Sequence, residues 1–353
     1  MFFRCPAQPF SARSAPLHAR FSSRCDNNRI SFSPSRLKKE WIAIFRRRKK
    51  TKITLIIVLF FAVIGTILYR LADRYLIEHV EVVVTDNRTV ANTAAVTQSS
   101  GQVQSDDWNY KSDNETISVK KVQTGSGEET ITYFVADVTF TNSTNLLTAF
   151  AKNSFGTNII ENTSTIASDH NAVFAINGDY YGFRNNGVII RNGELYRDDP
   201  AREALALFND GTLKSYDEEQ TSSSSLLAQG VTNTFSFGPV LVKDAEVAGD
   251  FDSVKIDTNF GNRSIQSSNP RTGIGMISPN HFLFIVVDGR KENYSKGMTL
   301  TEFANLFAEL GATEAYNLDG GGSSTMYFMG RVVNNPLGKQ KERGVSDIIY
   351  IPE

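Results

Sequence analysis

The chain has 353 residues, 41% of them hydrophobic with 24 Phe and 12 Tyr, which supplies core for one or two packed domains and excludes a disordered chain. Its formal charge of −1 conceals an asymmetry, because residues 1–52 carry 14 Lys and Arg against two acids, Asp26 and Glu40. Subtracting these from the totals of 37 and 38 leaves 23 basic and 36 acidic residues after position 52, so the basic character belongs to an N-terminal arm.

That arm ends in Arg46-Arg47-Arg48-Lys49-Lys50-Thr51-Lys52, and residues 53–69 that follow are uncharged and mostly apolar. Their length reaches the lower end of what a helix needs to cross a bilayer, so 53–70 is expected to be a transmembrane helix. A cleaved signal peptide has a shorter apolar run and a small-residue cleavage site, and this segment has neither. The positive-inside rule places 1–52 in the cytoplasm as a basic tail and the remainder outside, in the cell membrane as a single-pass protein. A nucleic-acid-binding arm is the competing reading of the same charges. The adjoining span favours topology, so no nucleic-acid partner is expected.

Both cysteines, Cys5 and Cys25, fall in the tail, and the external part therefore lacks a disulfide or a thiolate metal site. A cysteine-free external domain on an uncleaved anchor suggests a bacterial envelope without an outer membrane. The Asn-x-Ser/Thr sequons at Asn87, Asn114, Asn142 and Asn162 are expected by chance in so Asn- and Thr-rich a chain. Residues 71–115, dominated from 85 onward by Thr, Asn, Ser, Gln and Asp, read as an extracytoplasmic spacer.

Alternating β-type residues from Ile117 and again from Thr130 open a strand-rich domain over 116–353. Ala172-Val-Phe-Ala-Ile is an apolar strand ending in Asn177-Gly178-Asp179-Tyr180. The Ser222 to Ser225 run reads as an exposed loop. Asn269-Pro270-Arg271-Thr272 holds an arginine in a proline turn. His281-Phe-Leu-Phe-Ile-Val-Val, continuously apolar, has the pattern of a buried central strand and ends in Asp288-Gly289-Arg290. A helix over 300–310 follows, with Thr299 and Glu302 as a capping box and Gly311 as the stop. The next strand delivers Asn317-Leu318-Asp319-Gly320-Gly321-Gly322-Ser323-Ser324, in which glycines let backbone approach a ligand where a Cβ would collide. If the strands before Asp288 and Asp319 are parallel in one sheet, both carboxylates emerge at one edge. Taken singly, these are an ordinary turn, hairpin or loop. Their joint occurrence points to one polar pocket. The fold class expected is α+β, a mixed β-sheet domain with packed helices preceded by one N-terminal transmembrane helix.

Across 117–352 the ordered set of Asn177-Gly178-Asp179-Tyr180, Phe237-Gly238-Pro239-Val240, Asn269-Pro270-Arg271-Thr272, Val287-Asp288-Gly289-Arg290 and the Asn317 to Ser324 turn resembles the phosphodiester glycosidase domain family. The early turn departs from the family's usual Asn-Gly-Gly-Phe-Phe at Asp179 and Tyr180. The resemblance implies hydrolysis of a sugar-1-phosphodiester, whose phosphate leaves with little need of a proton. It implies Asp319, Asp288 and Arg271 as catalytic residues. Asn177, Asp179, Arg290, Asn317, Gly320, Gly321, Gly322, Ser323 and Ser324 would bind the substrate, a glycan phosphodiester or envelope polysaccharide. Arg271 and Arg290 suit phosphate oxygens, the 320–324 loop offers N–H groups and hydroxyls, and Asn177 and Asn317 suit sugar hydroxyls. Which carboxylate is nucleophile, base or structural stays open. Asp179, Asp288 and Asp319 are hard ligands that could hold Ca²⁺ or Mg²⁺, although no EF-hand spacing is present and His170 and His281 belong to no zinc motif. The alternative is a noncatalytic glycan-binding domain of the envelope. A phosphate-cradling nucleotide protein is disfavoured, because the glycine turn lacks the Gly-Lys-Ser/Thr ending of a P-loop.

Overall fold

A computed structural model of the chain describes residues 34–84, 103–141, 143–249, 251–254, 256 and 264–353. The chain divides into two compact units at Leu68. The first is represented by a helix, Pro34–Tyr75, that runs on past the division. Lys and Arg are good helix formers and the helix has no proline after Pro34, so the basic run continues the helix into the apolar segment instead of preceding it. The 42 residues extend about 63 Å at 1.5 Å per residue. By length and composition this helix could cross a membrane.

The second unit is α+β. Its larger sheet has nine strands in the order Glu246–Val247, Val240–Lys243, Glu314–Asn317, Arg271–Ser278, His281–Val287, Ile131–Phe140, Glu115–Thr124, Asn109–Lys111 and Gln104–Ser105. A five-stranded sheet runs Arg331–Val332, Met326–Phe328, Ala172–Asn177, Asp347–Pro352 and Leu147–Phe150. Strand His281–Val287 explains its own apolar run. Phe282, Phe284 and Val286 face the smaller sheet, where Phe284 and Phe174 rings stand 5.1 Å apart. Leu283, Ile285 and Val287 face the Leu300–Glu309 helix and pack on Leu300, Phe303 and Phe307. With both faces covered, alternation disappears. The helix begins at the expected capping box: Glu302 N–H donates to Thr299 Oγ1 at 3.2 Å and Thr299 N–H to Glu302 Oε2 at 2.8 Å.

Strands His281–Val287 and Glu314–Asn317 each pair antiparallel with Arg271–Ser278 between them. They therefore run in the same direction one strand apart, and their carboxyl ends emerge at one edge. The register pairs Arg271 with Val287 and Gly273 with Asn317, so the middle strand begins where its neighbours end. Two expectations need correction. The described parts of the 71–115 spacer carry structure: His79–Val83 pairs with Ser154–Thr157, and Gln104–Ser105 and Asn109–Lys111 extend the large sheet. Tyr110 is 2% exposed and Trp108 packs on the core, an aromatic anchor that a polar average conceals. Residues 85–102 lie outside the described residues. The Ser222 to Ser225 run is a helix start, with Ser225 N–H donating to Ser222 Oγ ahead of Ser223–Ala228.

Candidate active site

Three strand ends meet at the shared edge, and Asn177 fastens them. Its Nδ2 donates to the Asp319 carbonyl at 2.7 Å, while Oδ1 accepts from Thr272 Oγ1 at 2.8 Å and Thr325 N–H at 3.2 Å. The residue is fully buried and its amide is occupied by these bonds, so it ties the smaller sheet to the Arg271 strand and to the glycine turn. Beside it a depression of about 190 Å³ opens to solvent. It is lined by Phe237, Ile256, Ile265, Asn269, Pro270, Arg271, Arg290, Asn317, Leu318, Asp319, Gly320, Gly321 and Arg343.

Among the described residues Asp319 is the one carboxylate in this lining, and three arginines share it. Arg343 Nη2 donates to Asp319 Oδ2 at 3.1 Å and to Ser323 Oγ at 2.6 Å, and its Nε donates to Ser323 Oγ at 3.1 Å. Arg290 Nε and Nη2 both reach Asn269 Oδ1, at 3.2 and 2.8 Å, and Asn269 Nδ2 in turn holds the carbonyls of Ser264 and Ser267. Arg271 is 2% exposed, with Nε donating to the Met298 carbonyl at 2.9 Å and Nη2 to those of Ile265 and Ser267. Burial first, then the neighbouring Arg290, pulls its guanidinium down to about 10. Asn317 Nδ2 donates to the Gly238 carbonyl at 2.8 Å, which fixes the amide's orientation and leaves Oδ1 buried without a hydrogen bond. A buried acceptor in a pocket wall is costly unless a ligand supplies the donor.

The glycines earn their places by proximity. A Cβ on Gly320 would stand 2.7 Å from the Pro270 carbonyl oxygen, and Gly321 has φ +64°. Gly321 N–H donates to that same carbonyl at 2.9 Å and Ser323 N–H to Gly320 O at 3.2 Å. Of the loop's first N–H groups, Gly320 and Gly322 remain without a backbone acceptor among the described residues.

The other predicted carboxylates have different settings. Asp288 is 1% exposed and outside the pocket lining; its oxygens accept from Tyr294 Oη at 2.7 Å, Asn334 Nδ2 at 2.8 Å and Asn335 N–H at 2.9 Å. Burial raises its pKa against those bonds. Asp179 is 3% exposed and accepts from Tyr180 N–H at 2.6 Å and Ser236 N–H at 2.7 Å. It shares Arg191 with Asp347: Nη2 lies 3.8 Å from Asp179 Oδ2 and 2.8 Å from Asp347 Oδ2, and Nε donates to Asp347 at 2.8 Å. Burial pushes the Asp347 carboxyl up to about 6, with Arg191 opposing. Among the described residues no three His, Cys, Asp or Glu side chains gather as metal ligands, so Asp179, Asp288 and Asp319 do not form a shared Ca²⁺ or Mg²⁺ site.

Of the residues singled out in the sequence, the structure brings Arg271, Arg290, Asn317, Asp319, Gly320 and Gly321 into the lining. Asn177, Asp179, Asp288, Gly322, Ser323 and Ser324 stand behind it, with Ser323 joined through Arg343 and Ser324 buried with its carbonyl accepting from Asn334. Sequence reasoning missed Arg343 and the support of Asn269. Asn269 stood inside a recognised motif, whereas Arg343 sits in an unremarkable basic loop before the last strand.

A sequence model of the phosphodiester glycosidase family matches residues 170–352, just over half the chain. The SPbeta prophage-derived uncharacterized protein YomE of Bacillus subtilis strain 168 is 34% identical over 206 residues, covering 56% of this chain and 30% of that protein. The chain thus spans under a third of that relative's length. The zebrafish N-acetylglucosamine-1-phosphodiester alpha-N-acetylglucosaminidase catalytic domain, auto-inhibited by its pro-peptide, is similar in fold, with a TM-score of 0.51 at 19% identity over 79% of this chain and 97% of that one.

Proposed function

The chain belongs to the phosphodiester glycosidase family, and from that premise we propose that it hydrolyses the bond between a sugar's anomeric carbon and a phosphodiester oxygen. The observation that carries this reading is the pocket's charge: among the described residues of its lining, one carboxylate, Asp319, stands with three arginines. An ordinary glycosidase uses two carboxylates, one of them to protonate the leaving oxygen. A phosphate leaves as a stable anion, so a site with one carboxylate and several guanidinium groups suits it. Asp319 acts at the anomeric carbon, as nucleophile or as base toward water. The C–O electron pair departs on the phosphate oxygen, and a hydroxyl from water completes the sugar. Arg343 orients Asp319, and Arg290 and the outer face of Arg271 hold the phosphate. Asn317 Oδ1 accepts from a sugar hydroxyl, and Phe237 and Leu318 supply an apolar wall.

Arg271→Lys separates phosphate binding from general damage. Lysine keeps the charge and loses the planar fork that grips three carbonyls, so kcat/KM on a sugar-1-phosphodiester should fall about 10²-fold. An activated aryl glycoside without phosphate, where turned over, should fall by much less. Equal losses on both substrates, with circular dichroism unchanged, would remove the phosphate role. Purified full-length protein that binds the phosphodiester without releasing sugar would support the noncatalytic glycan-binding alternative.

The basic residues before the apolar part of the Pro34–Tyr75 helix support a cytoplasmic tail and an external domain. The substrate would then come from envelope or exopolysaccharide material. External protease on wall-stripped cells should digest the domain and spare an N-terminal tag. Survival of the domain with loss of the tag would reverse the orientation.

A further inference from the structure

The pocket's positive charge continues past its rim. Arg290 and Arg343 enter from two loops, 289–297 and 336–345, and both carry further lysines outward: Lys291 on the first, Lys339 and Lys341 on the second, all three exposed. The loops touch, because a Cβ on Gly338 would stand 2.5 Å from Lys291 Cβ and Cγ, so the Lys291 side chain lies along the backbone next to Lys339. Across the glycine turn, an added Cβ on Gly321 would stand 3.2 Å from Arg290 Nη2, and one on Gly322 would stand 3.0 Å from Arg343 Cδ. The two arginine side chains therefore flank consecutive glycines, and the cationic strip passes over them.

Little in these loops neutralises the strip. Lysine ion pairs among the described residues involve Lys152, Lys243 and Lys296, none of the three lysines named here. The acids in the two loops are Glu292 and Glu342. Glu342 is engaged elsewhere, accepting from Ser164 N–H at 2.9 Å and from the Ser164 hydroxyl. With 23 basic against 36 acidic residues after position 52, the chain beyond the tail repels anions in general, and this strip is a local exception.

Resting on the phosphodiester glycosidase reading, we propose that the substrate is a polyanion: the leaving side of the scissile bond continues into a chain bearing further phosphates, which this strip binds. The leaving side is indicated because the strip starts at Arg290, which holds the phosphate, with Arg343 beside it across the glycine turn. A flat anionic lipid surface would meet the lysines but has no reason to follow them into the pocket.

The test uses the full chain in neutral detergent and two substrates with the same N-acetylglucosamine-1-phosphodiester, one ending in a methyl group and one in an oligo(glycerol phosphate). At low salt, kcat/KM should be about tenfold higher on the oligomer, and the ratio should shrink toward one at about 0.5 M NaCl. The Lys291→Gln, Lys339→Gln, Lys341→Gln triple variant should lose most of that advantage, while the methyl substrate stays within about twofold. An oligomer no better than the methyl substrate, or an advantage kept by the triple variant, would overturn the proposal. If neither substrate is turned over, the glycosidase reading fails by itself. Salt-sensitive calorimetric binding of sugar-free oligo(glycerol phosphate), lost in the triple variant, would then still support the strip, and absence of binding would overturn it. Preference of the strip for phosphatidylglycerol-doped micelles, with no oligomer effect, would assign it to the membrane surface instead.

Discussion

Replacing Asp319 by asparagine is expected to lower kcat on a sugar-1-phosphodiester by about 10³-fold or more while leaving the fold and ligand affinity largely intact. The substitution keeps size and planarity. Its backbone carbonyl still accepts from Asn177, and the new side-chain oxygen can still accept from Arg343. The lost ion pair contributes at most about 1 kcal/mol, since the Arg343 side chain is 49% exposed and solvent screens it. What disappears is the negative charge facing the anomeric carbon, in a pocket whose lining has no second carboxylate among the described residues. Turnover, calorimetric affinity for a non-hydrolysable phosphonate analogue and circular dichroism measured together decide the matter, and wild-type turnover by a folded variant would refute the role of Asp319. Asp288→Asn provides the contrast. Its partners are Tyr294, Asn334 and Asn335, so stability should suffer before kcat does.

Arg191→Met is expected to destabilise the domain by about 3–5 kcal/mol, because it strands Asp179 and Asp347 in a site where all three side chains are at most 1% exposed. The loss should depend on pH, with a definite sign. The folded Asp347 carboxyl sits near 6 against an ordinary 3.8, so between those values the folded chain holds a proton that the unfolded chain releases. This group's contribution to stability therefore falls as pH rises through the window and is flat above it. Removing the guanidinium moves the window upward, so the variant's deficit should be larger at pH 8 than at pH 5, and Asp347→Asn should restore part of it. Urea midpoints at both pH values provide the measurement. A deficit under about 1 kcal/mol, equal at both, would mean that Arg191 does not carry the cluster.

The local grammar of the chain was readable wherever neighbours in sequence supply the physics. Thr299 and Glu302 cap a helix within one turn, and the apolar run to Val287 announces a strand covered on both faces. Strand, helix and strand in order placed Asp288 and Asp319 at one edge. The sorting of carboxylates at that edge was not readable. Asp179 is claimed by Arg191 and Ser236, and Asp288 by Asn334, and those partners lie tens of residues away or arrive through other strands. Arg343 escaped notice for the same reason, since only the fold lays it against Ser323 and Asp319. The strand at Gln104–Ser105 escaped because two residues in a polar stretch carry no period.

The Asn177 amide also bears on how the protein ages. An Asn-Gly step is the dipeptide most prone to deamidation, because an unhindered glycine nitrogen can attack the asparagine side-chain carbonyl and close a succinimide. Here the carbonyl oxygen is held by Thr272 and Thr325, the amide nitrogen by Asp319, and the Gly178 N–H by the Asp347 carbonyl at 2.9 Å. The attack requires all of these to let go together, so the folded chain protects a bond that the unfolded chain exposes. Each excursion to the unfolded state then risks a permanent aspartate or isoaspartate where the three strand ends are joined, and chemical lifetime becomes tied to conformational stability.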